Sequence, residues 1–238
     1  MLLAAHKLTG NRTYLDEGLA WADTFCEEQR NVTSAAGSPA GFWPDEIYIA
    51  DTGTGVTALA YAVHLADTEW RRARYRDALE RYAAWVLEGC DTAPGNTTNG
   101  KYVIGTEPHP HGWVFKTGPD AGSMGDGYWN GTLNDAPYTI STATTGAAFF
   151  AELFALTGNA TYRDVATGAA AWLLKYRAPS GANVYRFDHP GPYPPPPYRG
   201  AKILSESTTC KPTTHGLGQR TSARLLTGAG PQIRRKAL

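Results

Sequence analysis

The chain has 238 residues, 42% of them hydrophobic, which is enough to form a core in one large domain or two small ones. Lys+Arg and Asp+Glu both number 22, so the formal net charge is zero; that argues against nucleic acid or an acidic membrane as the main partner, because both favour basic surfaces. Three cysteines (Cys26, Cys90 and Cys210) are too few and too scattered for a disulfide framework, and no apolar run approaches the length of a membrane span.

The first stretch, MLLAAHKLTG, has no charged start and no cleavage site, so it reads as the tail of a buried helix rather than as a signal peptide. Gly10 suits the left-handed residue that closes such a helix. Thr13 and Asp16 then fit a capping box, in which the hydroxyl accepts from an orphan N–H and the carboxylate returns the bond, opening an amphipathic helix over TYLDEGLAWADTF. A long connection follows, roughly 30–50, and ends in GFWPDEIYIADTGTG. GVTALAYAVHLAD (55–67) is uncharged until its end apart from His64, a pattern that predicts a helix buried on every side.

YRDALERYAAWVL (75–87) is amphipathic. Tyr75, Leu79, Tyr82, Ala83, Val86 and Leu87 share one face, and Arg76, Asp77, Glu80, Arg81 and Glu88 share the other. Arg74 stands where the capping Thr belongs, so this copy needs a different cap. The second long connection, roughly 90–140, contains TEPHPHGWVFKTGPDAGSMGDGYWNGTLNDAPYTIS. GAAFFAELFALTG (146–158) matches the earlier buried helix in length, with Glu152 as its one charge. A repeated LTGN turn leads through Thr161 and Asp164 into YRDVATGAAAWLL. A third connection, 177–213, includes the polyproline-type run HPGPYPPPPYRG, and GLGQRTSARLLTG (216–228) is a polar, poor copy of the buried helix.

The pattern is an all-α chain of helical hairpins, each pairing an inner apolar helix with an outer amphipathic one. Short turns lie at one end and long loops at the other. A closed α/α toroid and an open solenoid both suit it. The irregular loop lengths favour the toroid, with function on the long-loop face.

LTGN at the inner-helix ends, TYxD and AAW at the outer helices, and GFWP and GYWN in the loops resemble the six-hairpin glycosidase superfamily. The resemblance covers about residues 1–180, leaving 181–238 as a Pro-rich loop and a poorly matched C-terminal segment. It implies an (α/α)6 toroid and a glycoside hydrolase-like activity, as in endo-alpha-mannanases and unsaturated glucuronyl hydrolases. Only about three hairpins are present, so the expectation is an incomplete toroid, a fragment. The adjacent Asp pair expected of the mannanase branch is absent.

Glycoside hydrolysis needs two carboxyls flanking a sugar. The candidates are Asp45, Glu46 and Asp51 in the first loop, and Asp126 and Asp135 in the second. Asp51 equally suits a helix N-cap, and Asp45 and Glu46 a solvated turn. Trp43, Trp113, Tyr128 and Trp129 are the aromatic candidates for stacking on a sugar face. His111, paired with His109, is a candidate for substrate binding or simple loop surface. Two histidines without a third ligand at standard spacing argue no metal site, and no cofactor is expected. Sequons at Asn11, Asn31, Asn96, Asn130 and Asn159 use five of the eight asparagines, which points to a secreted or lumenal glycoprotein. The expected partner is a carbohydrate; a non-catalytic helical or glycan-binding scaffold is the alternative.

Overall fold

The computed structural model describes residues 1–43, 48–91, 95–96, 103–105, 108–129 and 132–176. It is mostly helical, with six helices among the described residues. They are α1 (Leu2–Thr9), α2 (Arg12–Glu27), α3 (Ile49–Leu65), α4 (Glu69–Glu88), α5 (Thr139–Thr157) and α6 (Ala160–Lys175). They form three hairpins joined at one end by tight turns. α1 packs on α2, α3 on α4 and α5 on α6; α3 and α5 lie side by side as the centre of the inner layer, and α2 touches α4 in the outer one.

The helix starts differ from the capping-box expectation. Asn11 and Asn159, not Thr13 and Thr161, are the N-caps: each side-chain Oδ1 accepts from the backbone N–H two residues on, at 3.0 Å. Gly10 and Gly158 close the preceding helices in the left-handed conformation as expected. The middle outer helix begins earlier than its sequence copy, at Glu69, with Thr68 Oγ1 accepting from Arg71 N. α3 also begins earlier, at Ile49. Asp51 is therefore inside its first turn, and Tyr48 is the N-cap residue.

α5 is π-helical over Thr142–Phe149 and α-helical on either side. The wider turn matches its contact with α3. Thr144 and Thr145 hydroxyls donate to the carbonyls of Ala50 (2.9 Å) and Ile49 (2.7 Å), and a side chain at Gly53 would collide with both threonines. By length and composition α5 would pass for a membrane span; here it packs between α3 and α6.

The inner helices are not buried on every side. Leu2 and Leu8 of α1, His64 of α3 and Glu152 of α5 are exposed, because each inner helix turns one face away from its own outer helix and its neighbours. The core between the layers is an aromatic run through Phe25, Trp43, Tyr82, Phe149 and Phe150.

The long connections carry strands that an all-α reading omits. β1 (Arg30–Thr33) pairs with β2 (Pro39–Phe42), β3 (Gly95–Asn96) with β4 (Val103–Gly105), and β5 (Gly127–Trp129) with β6 (Thr132–Asn134), all antiparallel. Each pair sits at the end where an outer helix stops and the next inner helix starts, so all three build the long-loop face.

Candidate functional site

A cleft of about 400 Å³ opens on this face, its lining including His109, His111, Trp113, Lys116, Gly125 and Asp135. Its floor is fastened to the end of α4. Gly89 closes α4 at φ 71°, in a space where any side chain would collide with the His109 carbonyl. Cys90 and His109 then exchange backbone hydrogen bonds of 3.0 and 2.9 Å. Gly112, at φ 69°, backs against the Leu87 carbonyl, and Trp113 N donates to Val86 O at 2.7 Å. The strap then doubles back, with Val114 bridging Met124 and Gly125 N donating to Trp113 O at 2.9 Å.

His109 is held in place by structure. Its Nε2 donates to Gly112 O at 2.8 Å and its ring stacks on Trp113 with centroids 4.1 Å apart. His111 and Lys116 are exposed in the cleft. Lys116 was not singled out by sequence reasoning; its only signal was a single cation in the aromatic, glycine-rich stretch 106–141.

The strands beyond the strap leave two of the expected carboxylates in different surroundings. β5 and β6 pair Gly127 with Asn134, and further out Tyr138 N donates to Met124 O at 2.8 Å. The pairing ends there: the Asp126 carbonyl accepts from Ile49 N, and the Tyr138–Met124 bond falls one residue out of the β5–β6 register. Asp135 is exposed at the cleft, whereas Asp126 is buried and accepts from Ser141 Oγ at 3.1 Å. Tyr82 lies below. Its phenol is held protonated well above the usual tyrosine range, first by burial, with the Asp126 charge adding to the effect against the Thr145 and Thr52 hydroxyls.

The first-loop carboxylates are divided. Asp51 is exposed on the first turn of α3, outside the cleft lining, and partial desolvation raises its pKa. The same turn reaches the second loop through its backbone, as Ile49 N donates to Asp126 O at 2.8 Å. Asp45 and Glu46 lie outside the described residues.

Two of the four aromatic candidates, Trp43 and Tyr128, are core residues away from the cleft lining, and Trp113 is a core residue at its wall. Trp43 is 2% exposed, stacks on Phe25 at 4.3 Å and donates its indole N–H to Phe25 O at 2.6 Å. Tyr128 is fully buried, edge-on to Trp113. Trp113 contributes to the cleft wall at 2% exposure, and its buried indole N–H has no hydrogen-bond partner. A large ring beside a short strand pair removes ~150–250 Å² from water by turning inward, which outweighs any preference for display. Trp129 lies in β5, paired with Thr132.

Asn11 and Asn159 are exposed at the tight turns, and Asn31 is exposed on β1 opposite Gly41. Asn96 lies in β3, and Asn130 falls outside the described residues. Among the described residues no three His, Cys, Asp or Glu side chains converge as a metal site. Cys26 and Cys90 are free thiols, and burial pushes Cys26 up to about 12. No protein-family model, curated protein or solved structure matches the chain.

Proposed function

We propose that this chain is a carbohydrate-active, glycoside hydrolase-like protein on an α/α toroid, with Asp135 and Asp126 as its carboxyl pair. The observation that carries the reading is Asp135, exposed in the lining of a cleft of about 400 Å³ on the loop that also carries the buried Asp126. Glycoside hydrolysis takes two carboxyls, one protonating the leaving oxygen while the other acts on the sugar carbon. Their environments differ, as the chemistry requires: one is buried beside Ser141 and Tyr82, the other is open to solvent. His111 and Lys116, exposed in the cleft lining, are its candidate contacts for sugar oxygens. Repeated hairpins with the first two long loops on one face support the toroid reading. Sequon asparagines exposed at Asn11, Asn31 and Asn159 support a secreted glycoprotein.

The test is a hydrolysis screen on mannans and uronate oligosaccharides, with Asp135→Asn, Asp126→Asn and Asp51→Asn beside wild type. Loss of at least ~100-fold in the first two, with helical circular dichroism intact and Asp51→Asn active, is the expected result. Equal turnover in all four proteins overturns the pair. A non-catalytic glycan-binding scaffold is the second reading, favoured by the burial of Asp126 against Ser141; it gives sugar binding with no turnover in any of the four.

A further inference from the structure

We infer that the π segment of α5 holds one residue more than the matching part of α3, and that this extra residue turns the start of α5 onto the second long loop. The inference goes beyond the function proposed above and does not depend on it.

α3 and α5 match at both ends, but at different offsets. Tyr48 and Tyr138 are the two N-cap residues, so Asp51 and Ser141 hold the same place three residues on. Further along, GVTALAYAVHLAD begins at Gly55 and GAAFFAELFALTG at Gly146. Packing bears out this second match. Ala58, three residues past Gly55, lines an apolar groove with Trp21; Phe149, three past Gly146, packs on Tyr82 with ring centroids 5.5 Å apart. Trp21 and Tyr82 themselves stand at one position of the outer helices, each seven residues after the opening tyrosine, Tyr14 or Tyr75. From Tyr48 to Gly55 is seven steps, and from Tyr138 to Gly146 is eight. The extra residue of α5 therefore enters where the helix is π-helical, over Thr142–Phe149. A π turn closes i→i+5 instead of i→i+4, so it takes up one residue without breaking the helix.

One residue of an α-helix is about 100° of rotation. The start of α5 is thus turned relative to its later turns, and burial records the difference: Asp51 is exposed on α3, whereas Ser141 is fully buried. Both halves of α5 are fastened. At the start, Ser141 donates to Asp126 Oδ1 at 3.1 Å and Thr142 Oγ1 accepts from Met124 N at 3.0 Å. Beyond it, Thr144 and Thr145 hold the Ala50 and Ile49 carbonyls, and Phe149, Phe150 and Leu153 are fully buried. Ile49 N donates to Asp126 O, so the loop, α3 and α5 close one circuit of hydrogen bonds. A continuous α-helix held by its core residues would swing Ser141 and Thr142 off the loop. The π segment lets both sets of contacts form at once.

The test is deletion of Ala143, which is small and only partly buried, so that the segment can close as an α-helix. Deletion of Ala147, in the same segment, is the second variant. Both are expected to keep the helical circular dichroism and to unfold cooperatively in urea. Amide hydrogen exchange at Met124 and Tyr138 should rise at least ~10-fold in each, while Leu153 and Leu156 stay within ~3-fold of wild type. A crystal structure of the Ala143 deletion should show α5 α-helical throughout, with Ser141 away from Asp126. Failure of both deletions to fold overturns the inference, because a residue held in surplus can be given up. A folded variant that keeps Ser141 on Asp126, or leaves exchange at Met124 and Tyr138 unchanged, overturns it as well, because the extra residue then does not aim the helix start.

Discussion

Ser141 Oγ donates to Asp126 Oδ1 across 3.1 Å, joining the second long loop to the first turn of α5 in a site where both side chains are buried. The loop carboxylate is thus oriented by the helix it precedes. Ser141→Ala leaves the carboxyl one donor short, and the expected loss is on the order of 1.5–3 kcal/mol, the range for a hydrogen bond to a charged group. Equilibrium urea unfolding measures it. A change within ~0.5 kcal/mol, the ordinary range of surface substitutions, contradicts the orienting role.

The helix caps give a second expectation, best measured on unglycosylated protein. Asn11→Ala and Asn159→Ala each remove the side-chain acceptor at an N-cap and should lower stability by about 1 kcal/mol. Thr13→Ala and Thr161→Ala delete the same sequons but leave both caps, and should stay within ~0.5 kcal/mol. The reverse order restores the threonine capping box.

The strap that floors the cleft depends on backbone that only glycine fits. Gly89→Ala and Gly112→Ala combine a positive φ with a collision against a carbonyl, His109 in one case and Leu87 in the other. Backbone strain alone is ~1–3 kcal/mol at such positions, so each variant should unfold earlier in urea. Amide hydrogen exchange at Cys90, His109 and Trp113 should rise more than in α6. Uniform exchange across the molecule counts against local detachment of the strap.

Asp120 gives a pH signature. Burial raises its pKa from 3.8, in part countered by the Trp172 indole N–H bond at 3.2 Å and by the Lys175 charge. A carboxyl whose folded pKa lies above its unfolded value binds its proton more tightly when folded. Its stabilising share is complete below the unfolded value and is lost as pH rises through the folded one. Asp120→Asn keeps an acceptor for Trp172 without the charge. The wild-type melting temperature, compared with that of Asp120→Asn, should therefore fall as pH rises above 3.8 through the acid range; a relative rise refutes the burial effect.

Hairpin order, the inner and outer faces, and the placement of the first two long loops at one end were legible in the sequence; the third connection, 177–213, lies outside the described residues. They follow from apolar periodicity, from LTGN turns and from the repeated Tyr-x-Asp starts, all signals carried within a few residues. The capping residue was misread because Asn and Thr stand two apart in each turn and both are good caps; backbone geometry chooses Asn11 and Asn159. Burial of loop aromatics was misread for a different reason. Trp43 turns inward because Phe25, eighteen residues away, offers a face for stacking and a carbonyl for its N–H.

The sequence by itself determined a row of helical hairpins and narrowed the described carboxylates to Asp51, Asp126 and Asp135, because helix faces and turn residues are local choices. Tertiary structure alone decided which of these reaches the cleft. Asp135 lines it, Asp126 is buried against Ser141, and Asp51, placed on the first turn of α3, also lies outside the lining. That placement arises from backbone pairing between segments and from the fastening of the strap to α4 through Gly89 and Gly112, and neither leaves a mark in residue spacing.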